Sequence, residues 1–298
     1  MKADVVDRLP TPVDDLVAAA GLMETSDYEI SESVIQQMPR RLRRFIRSAG
    51  RKISGLIDRR ERIIHVDTTL DAGKQRFVKL HEVSHDIFDW QRDLLLAHTR
   101  QMLLPSVRMR FEREANQGAA ELLFQLDFLQ RIARDYPVDY STPFALAKQF
   151  GASGRATFRH WISGHHACVC GFVLGRHAMR RDELVFDRLE CMASEEWSRQ
   201  FGNRVFPSRM RLSHFDFLGP LVTGYERIDT QWTLDDLNTL PRTVNVQSFT
   251  NTYNNFVIVW VPEHESFLAR TRKKPTIIPP ESDSRDTKDS QRIWTPDR

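Results

Sequence analysis

The feature that most constrains this sequence is a pair of histidines four residues apart, His81 and His85, with Glu82 directly after the first. Apolar residues recur at helical spacing from Asp71 onwards, which predicts an amphipathic helix. Residues i and i+4 share one helical face, so both imidazoles can bind one Zn²⁺ ion. Glu82 projects about 100° away from His81, which suits a general base that is not itself a ligand. The sequence therefore predicts one catalytic zinc ion.

A catalytic zinc needs a third protein ligand and keeps one coordination position open. A second helix, predicted over residues 108–134, offers two nearby carboxylates, Glu112 and Glu114. Glu112 shares its face with small residues such as Ala115, which permit close packing against the first helix. We therefore favour Glu112 as the third ligand. Glu114 points about 160° away from it and is the main alternative.

Asp89 follows His85 by four residues, and the periodicity predicts that both lie on one helix. Its carboxylate could accept the ring N–H of a ligand histidine. The competing interpretation is an ordinary solvated acid.

Composition limits the class of protein. The chain has 298 residues, of which 41% are hydrophobic and 28% charged, so it is neither a disordered chain nor a fibre. It contains no apolar run near the ~20 residues that span a bilayer, and its acidic N-terminus lacks the apolar stretch of a signal peptide. Three cysteines make no disulfide framework. We expect a cytoplasmic protein with no membrane partner.

Changes of pattern along the chain predict an α+β architecture. We assign residues 1–135 to an N-terminal domain and residues 136–163 to a connector with a helix, a tight turn and a helix. Strands dominate residues 164–270, which we expect to form a C-terminal mixed α/β domain. The proline-containing and charged segment 271–298 is predicted to be disordered.

The connector resembles a helix-turn-helix (HTH) unit. In a DNA reader, Arg155, Arg159 and His160 would face the groove. The alternative is that both helices serve only as packing elements.

A second candidate for nucleic-acid contact is the segment Arg40–Lys52, which has seven basic residues and no acid. The whole chain has 43 basic and 40 acidic residues, so this positive charge is local. Arg43, Arg44 and Arg47 are the candidate residues for single-stranded DNA, bound as an activator. The competing interpretation is a solvated helical face.

The three cysteines form another candidate site. Cys168 and Cys170 share one face of a predicted strand, and the distant Cys191 could join them around a second, structural metal ion. Cysteines in buried strands also serve simply as small apolar residues.

Three segments together give the chain a resemblance to the ImmA/IrrE family of zinc metallopeptidases: residues 57–67, residues 76–85 with the two histidines, and residues 112–123 with their pattern of glutamate, alanines and leucines. The resemblance covers about residues 10–165.

The resemblance implies a zincin-like N-terminal domain with His81, His85 and Glu112 as zinc ligands and Glu82 as the catalytic acid/base. It also implies a GAF-like sensor in the C-terminal domain. Family members typically cleave an HTH repressor and so derepress genes for DNA-damage response, mobile-element transfer or phage defence. This chain is therefore expected to be a zinc endopeptidase with such a repressor as substrate.

A different class remains open, a DNA- or ligand-binding transcriptional regulator whose zinc site is structural or inactive. The presence of Glu82 favours the peptidase, because a structural site needs no general base beside its ligands.

Overall fold

A computed structural model describes residues 6–25, 55–58, 61–97, 104–202, 206–222, 227–250 and 254–262. The basic segment Arg40–Lys52 and the predicted tail lie outside the described residues, so Arg43, Arg44 and Arg47 stay predictions. The described residues form helices and two sheets, which confirms the α+β class. None of the described helices is both long and apolar enough to cross a membrane.

The N-terminal half combines helices with a small sheet. In chain order its described elements are α1 Val13–Ala19, β1 Met23–Thr25, β2 Gly55–Asp58, β3 Ile63–Val66, α2 Ala72–Ile87, α3 Asp89–Ala97, α4 Pro105–Leu123, α5 Phe128–Ala133, α6 Ser141–Phe150 and α7 Gly154–Ser163. The central strand of this sheet, β3, is parallel to β1 and antiparallel to β2.

The helix that carries the two histidines, α2, starts where the sequence predicts it. The Asp71 side chain accepts a hydrogen bond from the backbone N–H of Lys74 at 3.0 Å, which caps the helix. The helix ends at Ile87, because Phe88 adopts an extended conformation. Asp89 is therefore the first residue of α3, and the prediction that it shares a helix with His85 is wrong.

The helix predicted over residues 108–134 is in fact two helices, α4 and α5. Gln125 and Leu126 break it with left-handed backbone angles, φ 52° and 59°. The break brings the buried Phe124 ring against His160 of α7, with ring centroids 4.6 Å apart. This turn therefore ties the end of α4 to the connector.

The C-terminal half is built on one antiparallel sheet in the order β6-β5-β4-β9-β8-β7. Its described elements are β4 Val169–Arg180, β5 Glu183–Ala193, α8 Glu195–Phe201, β6 Arg209–Arg211, a 3₁₀ turn Asp216–Leu218, α9 Gly219–Val222, β7 Arg227–Asp235, β8 Pro241–Thr250 and β9 Asn255–Trp260. Aromatic and aliphatic side chains from α8, the 3₁₀ turn and α9 pack with strand residues in a second apolar cluster.

One hydrophobic core crosses from the N-terminal half into the sheet. Phe158 of α7 lies 5.2 Å from Phe256 of β9 between ring centroids, and both rings are fully buried. A side chain at Gly171 of β4 would place a Cβ 3.0 Å from the Phe158 ring. The glycine therefore permits the close approach of α7 to β4. The domain boundaries after residues 135 and 163 stay predictions. Apolar packing continues across both of them.

The connector has the predicted helix, turn and helix, with Gly151 at φ 65° ending α6. Its second helix faces the sheet, however. Arg155 and Arg159 both bind the carboxylate of Glu190 in β5, and His160 is stacked on Phe124. The three side chains proposed for DNA reading are thus engaged within the molecule, which favours the packing interpretation.

A buried histidine makes stability depend on pH. His165 accepts a hydrogen bond from the backbone N–H of Ala167 at 3.0 Å, and burial, followed by the nearby His166, lowers its pKa to about 4. Between this value and the unfolded pKa of about 6.5, the unfolded chain binds more protons. Stability is therefore lost as the pH falls through this window.

We expect His165 to contribute about 2 kcal/mol of destabilisation between about pH 7.5 and about pH 5. Urea unfolding of His165→Asn, which cannot titrate, should show a correspondingly smaller loss. The exposed His214→Asn is the matched control and should behave like wild type. An equal pH dependence in His165→Asn and wild type would contradict the assignment.

Candidate metal centre

Three side chains from two helices converge at one point. The Nε2 atoms of His81 and His85 lie 3.1 Å apart, since one turn of α2 separates the residues. Glu112 of α4 reaches them from the facing helix, with its carboxylate oxygens 3.2 Å from His81 Nε2 and 3.7 Å from His85 Nε2. Among the described residues, this is the group of three whose ligand atoms all lie within 4.8 Å of one another.

The geometry of this group fits a small tetrahedral ion. Ligand atoms about 2.1 Å from a tetrahedral zinc stand about 3.4 Å from one another. The two imidazole nitrogens lie 3.1 Å apart, and one Glu112 oxygen lies 3.2 Å from His81 while the other lies 3.7 Å from His85, all close to that value. Two imidazoles and one carboxylate are also a donor set found in catalytic zinc sites. The residues present therefore fit such an ion without rearrangement of the helices.

Small residues on α4 allow Glu112 to come this close. Ala115 and Ala119 of α4 are fully buried. At Gly118, an added Cβ would lie only 2.8 Å from the Ser84 hydroxyl oxygen, inside contact distance. Any larger residue would push the helices apart and withdraw the carboxylate from the histidines.

A residue that the motif did not indicate orients one of the histidines. The Nδ1 atom of His85 lies 2.6 Å from the side-chain oxygen of Gln91, in α3. The Gln91 amide nitrogen in turn donates to Glu114 at 2.8 Å, so its oxygen is the end that faces the ring. Nδ1 of His85 must then carry the proton, which leaves an electron pair on Nε2 for a metal ion.

Glu114 anchors this chain of hydrogen bonds and is not one of the three converging side chains. Its carboxylate accepts from Arg110 at 2.7 Å and from the Trp90 indole at 3.0 Å. These hydrogen bonds, that from Arg110 above all, lower the pKa of Glu114 and keep it an acceptor. The choice of Glu112 over Glu114 as the candidate ligand thus agrees with the phase of α4.

Asp89 lies in an exposed position and pairs with Arg92 at 2.7 Å. Asp89 is therefore an ordinary solvated acid, which was the competing interpretation. Gln91 occupies the position beside His85 that was proposed for Asp89. Sequence reasoning missed Gln91 because it assumed that α2 continues. The turn at Phe88 is the feature that redirects the chain, and no motif residue marks it.

Burial differs across the centre. His85 and Glu82 are buried, with Glu82 only 2% exposed, whereas the Glu112 side chain is 44% exposed. The group is therefore closed on the α2 side and open to solvent on the α4 side.

The cysteines do not converge on one ion within the described part of the chain. Strand pairing places Cys191 opposite Phe172, four residues from Cys168, or about 13 Å along the strand. Cys170 and Cys191, by contrast, are diagonal neighbours in the β4–β5 pairing. The structure thus brings two of the three predicted residues together.

We expect Gln91→Leu to weaken metal binding about 10- to 100-fold, because His85 loses the partner that fixes its proton. Competition with a chromogenic chelator measures this affinity. Asp89→Asn is the matched control and should leave the affinity unchanged. If the two variants behave alike, the hydrogen bond to Gln91 does not orient the ligand.

One comparison with known protein families covers the residues of this centre. Residues 24–157 match the family model described as an IrrE N-terminal-like domain, Peptidase_M78. A solved structure described as a Mycobacterium tuberculosis transcriptional regulator is 13% identical in sequence, with a TM-score of 0.48, and the match covers 83% of this chain and 68% of that one. No curated protein matches the chain. Residues 24–157 therefore form an IrrE N-terminal-like domain, which confirms the resemblance to the ImmA/IrrE family identified in the sequence.

Proposed function

We propose that this protein is a zinc-dependent endopeptidase that cleaves a helix-turn-helix transcriptional repressor. The observation that carries the proposal is the convergence of His81, His85 and Glu112, with the buried Glu82 adjacent to the first ligand. The family match over the same residues supports a metallopeptidase.

The chemistry divides between the ion and the chain. A zinc ion bound here would polarise a peptide carbonyl and lower the pKa of water. Glu82 takes a proton from the attacking water and passes it to the leaving amine as the peptide bond breaks. Its burial beside His81 suits this role, because a carboxylate screened from bulk water exchanges its proton with the substrate.

The open side of the centre favours a catalytic site over a structural one. Structural zinc sites are closed by four protein ligands, whereas catalytic sites retain an accessible position. Here three ligands come from the chain, and the Glu112 side is exposed to solvent. This argues against the alternative of a regulator with a purely structural zinc.

The identity of the substrate rests on the family resemblance. Cleavage of a repressor would derepress a stress, DNA-damage or phage-defence response. We assign the C-terminal sheet to a sensor role and the segment Arg40–Lys52 to binding of single-stranded DNA as an activator. Both assignments are independent of the zinc chemistry.

We expect Glu82→Gln to retain one zinc ion per chain and to lose cleavage of the repressor by at least about 100-fold, because the change removes the proton acceptor but no ligand. Metal content and the appearance of repressor fragments are measured on the same preparation. His81→Ala is the comparison variant and should lose both the ion and activity. Near-wild-type cleavage by Glu82→Gln would refute the mechanism.

A further inference from the structure

Two cysteines lie on neighbouring strands of the C-terminal sheet, Cys170 in β4 and Cys191 in β5. In the β4–β5 pairing, Cys170 lies opposite Ala193 and Phe172 lies opposite Cys191. The two cysteines are therefore diagonal neighbours on the same face of the sheet. The two thiols are near enough to influence each other's ionisation.

The two sulfur atoms differ in access. Cys170 is buried in the apolar cluster beneath the sheet, whereas Cys191 is exposed. The exposure follows from topology, since β6 pairs only with residues 185–187 of β5 and leaves the end of β5 at the sheet edge in the described structure. A small solute reaches Cys191 directly.

The surroundings also make Cys191 the better nucleophile. The neighbouring Cys170 thiol, followed by the positive charge of Arg188, lowers the pKa of Cys191. Burial has the opposite effect on the other two thiols and raises the pKa of Cys168 to about 12. Thiolates attack oxidants and thiols do not, so the three cysteines should differ sharply in reactivity.

We propose that Cys191 is a site of oxidation by hydroperoxides and that Cys170, its diagonal neighbour on β4, resolves the oxidised sulfur to an intramolecular disulfide. Nothing in this proposal depends on the metal centre or on the peptidase activity.

The chemistry balances in two steps. The Cys191 thiolate attacks the outer oxygen of a hydroperoxide, the O–O bond breaks, and an alkoxide or hydroxide leaves and takes up a proton. Cys191 is then a sulfenic acid. The sulfur of Cys170 attacks the Cys191 sulfur, the S–O bond breaks, and the departing hydroxide leaves as water with the proton of Cys170. The hydroperoxide is reduced by two electrons as the dithiol is oxidised.

The disulfide is expected to be readily reversible. Diagonal neighbours in an antiparallel pair have Cα atoms about 7–8 Å apart, slightly beyond the usual span of a disulfide. Closing the bond therefore requires β4 and β5 to shift by about 1 Å. Strained disulfides of this kind have more oxidising potentials and are reduced easily by cellular thiols.

The site lies beside the joint between the two halves of the molecule. Glu190, next to Cys191 in β5, is the carboxylate that holds Arg155 and Arg159 of α7. A movement of β5 at Cys191 therefore acts directly on the contact between the sheet and α7.

The experiment treats the reduced full-length protein with a small excess of hydrogen peroxide and maps cysteine states by mass spectrometry. Wild type should lose two hydrogens in mass and yield a peptide pair linked through Cys170 and Cys191, which dithiothreitol separates. Cys168→Ser is the matched control and should form the same link. Cys170→Ser should stop at a sulfenic acid on Cys191 that dimedone traps.

Two outcomes would overturn the proposal. Oxidation of Cys168 as fast as Cys191 would show that the surroundings of Cys191 confer no special reactivity. Accumulation of sulfenic or sulfinic acid on Cys191 in wild type, with no link to Cys170, would show that the buried thiol does not resolve it.

Discussion

The close approach of α2 and α4 is the constraint on which the metal centre depends. A metal site tolerates errors of only about 0.2 Å in ligand distances. That precision is set here by packing of small residues, since Gly118 meets Ser84 where any Cβ would collide. The carboxylate of Glu112 is carried on the same rigid helix, so the distance between backbones fixes its distance to His81. The chemistry of the site is thus a consequence of helix packing.

The donor and acceptor directions of the hydrogen bonds behind His85 are also fixed, from the surface inward. Arg110 can only donate, so Glu114 must accept, and the amide of Gln91 must present its oxygen to the ring. Each partner leaves the next a single choice. An exposed guanidinium on α4 therefore determines which nitrogen of a buried imidazole carries the proton.

Local patterns predicted the parts of the site that depend on local geometry. The spacing of His81 and His85 determines their shared face, and the phase of a helix separates Glu112 from Glu114. Gln91 escaped prediction because its contact depends on the turn at Phe88 and on a partner in another helix. The break after Leu123 was missed for a related reason, since the helical pattern continues through residues that take left-handed backbone angles.

The connector shows how the same sequence pattern supports different roles. A helix with two exposed arginines suits DNA, yet Glu190 of β5 meets both guanidinium groups, while Phe158 on the inner side enters the sheet core. A helix fixed on both sides in this way transmits displacement better than it reads a groove. Because α7 contacts both the sheet and the turn after α4, a shift in β5 has a contiguous packed route to the helix that carries Glu112. Such a route gives a physical basis for coupling between the sheet and the metal centre. Measured coupling energies between the two halves are the test of that coupling.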